Sequence, residues 1–518
     1  METQENKLIK KIKLRAIKLK DYQAIVDLQL KCFPSMKPWN EKQFKNIIAV
    51  FPKGQVCIVY EKKIIASSCS LIIDFTHYKE TSSWNELTDN GNINNHTLKG
   101  DTLYGMEIMV NPDYRGMKLS RRLYDARKNI AKHFNLKHIL IGGRLPNYHK
   151  YQAKMNINEY VESVMEKKAY DPVLTVQLAN GFTLKQILPD YLPNDKESCG
   201  YATLLEWTNF HYKNSTVNNQ INYSPYVRVS AVQYQMRSIS SFEDFAKQCE
   251  YFIDASSDYK SDFVVFPEMF TMQLLSFLAD KRPAIAVREL HNYTQRYIDL
   301  FCSLAIKYNI NIIGGSHFCI EDESLYNISY LFRRDGSYDK QYKIHITPYE
   351  TKWWGVKGGN KVQIFDTDKG KIAILICYDI EFPELARIAV SKGAKIIFVP
   401  FNTDDRRAYL RVRYCAQARA IENQVYVVIT GCVGNLPEVG NLDIHFSQSA
   451  ILTPSDVEFS REAIASEAVP NTETLIYQDL DLHLLQRNRE LGNAQTWNDR
   501  KKSFYTLTYE EDSKTIVV

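Results

Sequence analysis

Short apolar runs alternate with amphipathic stretches along the second half of the chain. The runs that we predict to be strands are VRVSAVQY, DFVVFPE, NIIGGSHF, NISYLFRRDG, KIAILICYD, AKIIFVPF and VYVVITG. Between them, PELARIAVSKGA (383–394) and RRAYLRVRYCAQARAIEN (406–423) have the pattern of helices. Strands that are apolar throughout are typical of a sheet buried on both faces. The alternation therefore predicts an α/β domain.

The first half contains a strand–turn–helix–strand unit. LYGMEIMV is predicted to be a strand that ends at Asn111 and Pro112, and a basic turn, an amphipathic helix and the strand HILIG follow it. The Asn-rich stretch 85–101 is predicted to be a loop inserted into this domain. A second polar stretch, KNSTVNNQINYSP (213–225), is predicted to be a linker. We therefore expect a first domain at 12–212 and a second at 226–518.

Composition narrows the functional classes. The chain has 518 residues, which is too long for one ordinary core, and a net charge of +5, which is too weak to indicate nucleic-acid binding. No segment has the roughly 18 consecutive apolar residues of a membrane span, and no secretory signal is visible. The 10 cysteines form no C-x-x-C pair, so we expect neither a metal site nor a disulfide framework. A cytoplasmic protein is expected, although the composition is equally compatible with the nucleus.

The stretch LICYDIEFPE (375–384) places a thiol where a strand stops. Cys377 ends the apolar run, and Pro383 is suited to the first turn of a helix. A strand-to-helix connection is where α/β folds place reactive groups, and the N–H of Tyr378 could face a developing oxyanion. The alternative is a buried, inert thiol. Position alone leaves both interpretations open.

A thiol nucleophile needs a base and an electrostatic partner. Glu268 follows the run FVVF, and a carboxylate at the end of a strand can act as a base if its pKa is raised. Lys343 lies in YKIHITPYE, where an inward ammonium needs anionic partners. Alone, each residue has an ordinary explanation: a solvated glutamate at a strand end, and a surface lysine that extends its ammonium into water.

Together, these three motifs resemble the Glu–Lys–Cys triad of the nitrilase, or carbon–nitrogen hydrolase, superfamily. The resemblance covers roughly residues 226–518 and continues through FVPFNTDDRR (398–407), RAIENQVYVVITG (419–431) and FSQSAILTPSD (446–456). It implies a four-layer αββα sandwich, usually assembled as a homodimer or a larger homo-oligomer. Glu350 matches a second glutamate that many members carry after the lysine.

The resemblance also implies a reaction. Glu268 would take the thiol proton, Cys377 would attack an amide or carbamoyl carbon, and Lys343 with the Tyr378 N–H would hold the oxyanion. Glu350 would orient Lys343 or the substrate. The reaction would pass through a thioester, from which water releases the acid. It would need no cofactor, and its substrate would be a small molecule.

The unit at 102–144 resembles motif A of the GNAT-type N-acetyltransferases, a family of mixed-sheet α/β domains whose loop binds the pyrophosphate of acetyl-CoA. This resemblance covers about residues 12–210. The contacts that it implies fall on these residues: Ile108, Val110, Arg115, Gly116, Lys118 and Ser120. Lys118 stands where the family usually has Gly, and Ser120 where it has Gly or Ala. The domain is therefore either a working acetyl-CoA site or a fold kept for packing.

GNAT–nitrilase fusions exist as a group, and the chain resembles them. The leading hypothesis is a cysteine amidohydrolase with an accessory or second catalytic domain. The alternative is an N-acyltransferase whose nitrilase half is accessory or forms the assembly. A non-enzymatic binding protein is the least favoured class, because a silent site has no reason to keep all three triad residues.

Overall fold

The computed structural model describes residues 11–518 except 35, 80, 211, 213–225, 279–281, 438, 441, 443 and 512–513. The predicted linker, 213–225, lies outside the described residues. The chain separates into two compact units, Met1–Ser224 and Pro225–Val518, and each is described by itself. Among the described helices, none is both long enough and apolar enough to cross a membrane.

The first unit is a mixed α/β domain. Its elements are β1 (Ile12–Ala16), α1 (Tyr22–Cys32), α2 (Glu41–Val50), β2 (Val56–Tyr60), β3 (Lys63–Ile73), α3 (Trp84–Thr88), β4 (Thr102–Val110), α4 (Leu119–His133), β5 (His138–Arg144), α5 (Ile157–Met165), α6 (Leu174–Ala179), β6 (Thr183–Leu188) and β7 (Ala202–Thr208). The stretch 85–101 is not wholly a loop, because its first residues complete α3. An N-cap explains this helix: the hydroxyl of Ser83 accepts the main-chain N–H of Glu86.

The strands of the first unit form one sheet in the order β1-β2-β3-β4-β5-β7-β6. Among the described strands of this sheet, only β4 and β5 pair in parallel, because α4 carries the chain back between them. The β3–β4 ladder contains an irregularity between Cys69 and Ser70, opposite Gly105 and Glu107. Such a bulge changes the direction of the strand locally and re-aims its side chains.

The second unit begins at β8. Its elements are β8 (Tyr226–Met236), α7 (Phe242–Asp258), β9 (Phe263–Val265), α8 (Pro283–Glu289), α9 (Thr294–Tyr308), β10 (Asn311–Ile313), β11 (His317–Glu321), β12 (Ser324–Phe332), β13 (Tyr338–Tyr342), α10 (Pro348–Trp354), β14 (Val356–Lys357), β15 (Ile364–Thr367), β16 (Gly370–Ile374), α11 (Pro383–Ser391), β17 (Ile396–Phe401), α12 (Arg406–Asn423), β18 (Tyr426–Asn435), β19 (Ile444–His445), β20 (Ala450–Leu452), β21 (Ile464–Glu467), β22 (Thr474–Asp481), α13 (Leu482–Leu491), β23 (Thr508–Glu511) and β24 (Lys514–Val517).

The main sheet of this unit runs β11-β12-β10-β9-β8-β18-β17-β16-β15 and curls into two halves. The halves join where the last residues of β8, Tyr234–Met236, pair with Cys432–Gly434 of β18. Their inner faces share one core, in which the rings of Phe263 and Phe398 lie 5.4 Å apart. Helix α9 packs on one half and α12 on the other, which confirms the αββα sandwich.

The six strands from β10 to β16 through β9, β8, β18 and β17 are all parallel. Their carboxyl ends therefore lie along the same edge of the curled sheet. Glu268 follows β9, Cys377 follows β16 and Asn402 follows β17, so the topology alone brings these three residues to one place.

Candidate active site

The structure brings the four side chains of the predicted triad and its second glutamate together. The Lys343 ammonium lies 2.7 Å from Glu268 Oε1 and 2.6 Å from Glu350 Oε2. The Cys377 thiol interacts electrostatically with the Glu268 carboxylate, and its Sγ donates to the main-chain carbonyl oxygen of Asn402 at 3.8 Å. Each of the four is buried, and Cys377, at 7% exposed, is the most accessible of them. Glu268 is therefore not a solvated glutamate at a strand end, because its side chain lies fully inside the fold.

The loop that carries Glu268 is held from two sides. The main-chain N–H of Met269 donates to Ser316 Oγ at 3.0 Å, and the N–H of Asn402 donates to Glu268 Oε2 at 3.0 Å. Gly315 allows the approach, because a Cβ there would lie 2.2 Å from the carbonyl oxygen of Pro267. The carboxylate thus has a fixed orientation, with Oε1 turned toward Lys343.

A helix N-cap positions Glu350. Thr347 precedes α10, its hydroxyl accepts the N–H of Glu350 at 3.2 Å, and Glu350 Oε2 in turn accepts the N–H of Thr347 at 3.1 Å. This reciprocal pair is a capping box, and the sequence TPYE carries its signature. The same oxygen that caps the helix contacts Lys343, so the start of α10 sets the position of the lysine.

Cys377 has a main-chain conformation that side chains usually avoid. Its φ is 47°, in the left-handed region, and it begins a short 3-10 helix, Cys377–Glu381, that ends just before α11. A non-glycine residue in this region costs about 1 kcal/mol or more and persists only where the surroundings impose it. The sharp turn explains why an apolar run gives way at once to polar residues. Tyr378, the predicted oxyanion donor, is the second residue of the same turn.

Asp379 connects the cysteine turn with the lysine loop. Its Oδ1 accepts the N–H of His345 at 2.7 Å, and its Oδ2 accepts those of Ile344 at 3.2 Å and Ile376 at 3.3 Å. Ile376 precedes the cysteine, and Ile344 follows the lysine. One buried carboxylate therefore fixes the distance between the two predicted catalytic residues.

Sequence analysis missed Asn327, which lies beside the same side chains. Its amide nitrogen donates to Glu268 Oε1 at 3.0 Å and to Glu350 Oε1 at 3.2 Å. Its carbonyl oxygen accepts the main-chain N–H of Lys343 at 2.9 Å. The available signal was a carboxamide inside the largely apolar strand LYNISYLF.

Burial and charge set the pKa values within this cluster. Burial raises the pKa of Glu268, and the nearby charge of Glu350 adds to the effect, although Lys343 opposes it. Burial disfavours the charged forms of both Glu350 and Lys343, but the attraction between the two opposite charges is stronger. The pKa of Glu350 is therefore lowered and the pKa of Lys343 is raised. Burial and the Glu268 charge raise the pKa of the Cys377 thiol. The arrangement is a neutral thiol beside a carboxylate that binds protons readily, with an ammonium close by.

Two family models match the chain. The carbon-nitrogen hydrolase model matches residues 228–490, and the acetyltransferase (GNAT) family model matches residues 22–152. The chain belongs to the carbon-nitrogen hydrolase family. It joins a hydrolase domain of this family, which is part of the nitrilase superfamily, to an N-terminal GNAT domain, as the sequence predicted.

Several known proteins are similar to this chain. A probable hydrolase of Bacillus subtilis, YhcX, is 53% identical over 97% of this chain and 98% of its own length. An uncharacterized N-acetyltransferase, YkwB, and a 2-oxoglutaramate amidase, both of B. subtilis, are 36% and 29% identical over 38% and 40% of this chain and 88% and 78% of their own lengths. The structure of Saccharomyces cerevisiae Nit3, a nitrilase superfamily member, is 24% identical over 54% of this chain and 96% of its own, with a TM-score of 0.44.

In the GNAT domain, the predicted acetyl-CoA residues lie along β4 and the loop before α4. Ile108 and Val110 pair with β3, opposite Ser68 and Ala66. Downstream of Arg115, Gly116 has φ 89° and open space around its Cβ position, and Ser120 lies in the first turn of α4. Lys118, which stands where the family usually has Gly, adopts the left-handed conformation that glycine favours, with φ 48°.

Two ionisable residues lie close together in the GNAT domain, the buried Arg127 and the half-buried Glu107. Arg127 of α4 donates to the hydroxyls of Ser68 and Ser70 and to the carbonyl oxygen of Glu107. The carboxylate of Glu107 accepts the side-chain amide of Gln29 at 3.1 Å. Burial raises the pKa of Glu107 to about 7, while Gln29 and Arg127 act in the opposite direction.

Proposed function

We propose that the hydrolase domain cleaves a small amide or carbamoyl amide through a Cys377 thioester. The observation that supports this most strongly is the Lys343 ammonium between two buried carboxylates, one of which interacts with the Cys377 thiol. Such a cluster costs free energy to bury, and its geometry suits proton transfer at a nucleophile.

Each step of the proposed reaction pairs a proton transfer with the formation or cleavage of a bond. Glu268 accepts the thiol proton as the Cys377 sulfur bonds to the carbonyl carbon. Lys343 and the Tyr378 N–H stabilise the oxyanion, and preorganised donors of this kind contribute roughly 3–4 kcal/mol each. Glu268 then gives its proton to the nitrogen as the carbon–nitrogen bond breaks. Water, deprotonated by Glu268, attacks the thioester, the acid leaves, and the thiol regains its proton. Glu350 holds Lys343 throughout.

The test is a panel of short primary amides and N-carbamoyl compounds. Because one relative is a 2-oxoglutaramate amidase, the panel begins with the amides of short dicarboxylic acids. Released ammonia or amine measures turnover, and hydroxylamine added during turnover traps the acyl-enzyme as a hydroxamate. We expect both signals in the wild type and neither in Cys377→Ala.

Cys302→Ala is the matched control, because Cys302 is a buried cysteine of the same unit on α9. It should keep both signals. Turnover that persists in Cys377→Ala, or a hydroxamate that forms without Cys377, would refute the assignment.

For the GNAT domain we propose that the loop before α4 binds acetyl-CoA or CoA weakly. The support is the start of a long helix behind Gly116, where N–H groups and basic side chains are suited to phosphate. An N-acyltransferase with an accessory hydrolase half is the second candidate function. It predicts acetyl transfer to an amine in Cys377→Ala, measured as CoA release.

We also propose domain limits of 12–212 and 226–518, a cytoplasmic location, and assembly as a homodimer or larger homo-oligomer through the hydrolase domain. Limited proteolysis between residues 212 and 226 tests the limits, and light scattering of the full chain tests the assembly. A monomer at micromolar concentration would contradict the last proposal.

A further inference from the structure

One uncharged side chain contacts both carboxylates of the candidate site. Asn327 lies on β12, is 1% exposed, and donates its two side-chain N–H groups to Glu268 and Glu350. Its Oδ1 is buried and has no hydrogen-bond partner among the described residues. The opposite amide orientation would point that oxygen at two carboxylates, so the cluster itself determines which way the amide faces.

We propose that Asn327 is a positioning residue of this site: its amide holds Glu268 and Glu350 in their ionised forms on either side of Lys343, so that Glu268 can accept the Cys377 proton. The inference rests on the proposed function, because it gives Glu268 the role of base.

The charge of the cluster explains why an amide suits this position. Two carboxylates and one ammonium leave a net negative charge in a buried place, and the two carboxylates repel each other. Hydrogen bonds from a neutral amide favour both ionised forms without adding a positive charge. A second cation here would favour ionisation so strongly that Glu268 would become a poor base.

The main chain of Asn327 adds a second constraint. The main-chain carbonyl oxygen of Asn327 accepts the N–H of Lys343. The backbone of Asn327 therefore orients the lysine, and its side chain orients the two carboxylates that contact the lysine. The residue before the lysine, Tyr342, pairs with Ile328 in the β12–β13 ladder, which fixes the register of this contact.

The experiment measures alkylation of Cys377 by iodoacetamide as a function of pH, with the full chain and peptide mass spectrometry. The titratable groups that face Glu268 are Lys343, Glu350, Cys377 and Cys432, whose thiol lies 3.5 Å from the Glu268 carbonyl oxygen. Ionised Glu268 should accelerate alkylation, so the rate should fall as pH falls through the pKa of Glu268. Glu268→Gln should abolish this fall, and its persistence in that variant would overturn the inference.

Asn327→Leu keeps the approximate size and removes both donors. We expect the midpoint of the fall to move upward by about one pH unit, because a hydrogen bond that favours the ionised carboxylate is lost. Asn311→Leu is the matched control: Asn311 is also buried, lies on β10, and donates to Asp368 at 2.9 Å, away from the cluster. It should leave the midpoint unchanged.

An unchanged midpoint in folded Asn327→Leu would overturn the inference, and so would a Cys377 that is not alkylated in the wild type at any pH. If Asn327→Leu does not fold, Asn327→Ser is judged by the same criterion, with a smaller upward shift expected because one donor remains. The readout needs no substrate, so a protein that hydrolyses none of the amide panel can still show the shift. The two proposals can therefore fail separately.

Discussion

The carboxylate of Asp379 accepts the main-chain N–H of His345 at 2.7 Å and thereby connects the turn of the cysteine to the loop of the lysine. The ring of His345 stacks on that of Phe382 with centroids 3.6 Å apart, which adds a second contact between the same two segments. The separation of Cys377 and Lys343 therefore depends on a residue that hydrogen-bonds to the main-chain neighbours of both.

Replacement of Asp379 should impair catalysis more than it impairs folding. Asp379→Ala leaves one buried and two partly buried N–H groups without their acceptor, and we expect a loss of about 2–4 kcal/mol in the free energy of unfolding. Asp379→Asn keeps one acceptor oxygen and should cost less stability, yet hydrolysis should still fall at least about tenfold, because the lysine loop moves. Urea unfolding and kcat/KM measure the two effects.

Asp335→Asn is the control for this prediction, because Asp335 accepts the N–H of Ser337 in a turn of the same unit. It should change kcat/KM little. Full activity in folded Asp379→Asn would show that the connection between the two segments is not needed for the reaction.

Lys343 and its partner Glu268 should behave as one unit. Lys343→Met leaves two buried carboxylates without their cation, and breaking a buried pair in this way costs roughly 3–5 kcal/mol of stability. Adding Glu268→Gln to Lys343→Met removes one of those charges and should recover part of the loss. Hydrolysis should fall at least about 100-fold in each single variant and little further in the double variant.

Lys340→Met is the matched control, because Lys340 lies on β13 and pairs with Glu321 at 2.7 Å away from the site. Lys340→Met should change the stability of the protein and its rate of hydrolysis only slightly. A double variant less stable than Lys343→Met would mean that the two charges do not stabilise each other in the fold.

The stability of the GNAT domain should depend on pH through Glu107. The pKa of this carboxyl is raised to about 7 in the folded state, so the folded protein binds the proton more tightly than the unfolded chain does. Its contribution to stability is present at low pH and is lost as pH rises from about 4.5 to 7. Glu107→Gln cannot ionise and should remove this loss.

Thermal unfolding of the full chain between pH 5 and 8 measures this effect. The wild type should be destabilised relative to Glu107→Gln by on the order of 1–3 kcal/mol more at pH 8 than at pH 5. A difference between the two proteins that does not change with pH would contradict the raised pKa.

Glu268 and Cys377 could be placed together from sequence because each follows an apolar run, and parallel strands bring such ends together. Lys343 follows the polar, antiparallel strand β13, so only the family resemblance indicated it. Asn327 could not be predicted, since its partners are 59 and 23 residues away and its role appears only when β12 pairs with β13. The left-handed φ of Cys377 and Lys118 was equally hidden, because the residue types that signal it are glycine and, less strongly, asparagine and aspartate. The hydrophobic pattern predicts the helices and strands and the edge of the sheet where parallel strands end. Contacts between neighbouring strands can be predicted only when the register of the strands is known.

The last prediction concerns Lys118 in the GNAT domain. Lys118 already has φ 48°, the conformation that glycine adopts without strain, so the loop keeps its shape with a lysine in place. The side chain then affects binding mainly through its charge, because Lys118 is the N-cap residue of α4 and Arg115 is nearby in the chain. Calorimetry with acetyl-CoA on the full chain should therefore show weaker binding by about fivefold in Lys118→Met, because a charge near phosphate contributes about 1 kcal/mol.

Lys118→Gly should weaken binding to a similar extent. Lys167→Gly is the matched control, because Lys167 also has a left-handed φ, 63°, in the same unit and lies outside the loop. The Lys167→Gly substitution relieves the same kind of backbone strain and should leave acetyl-CoA binding unchanged. Tighter binding in Lys118→Gly would instead show that the Cβ obstructs the phosphate. If neither the wild type nor Lys118→Gly releases heat at millimolar acetyl-CoA, the domain has the GNAT fold but does not bind acetyl-CoA.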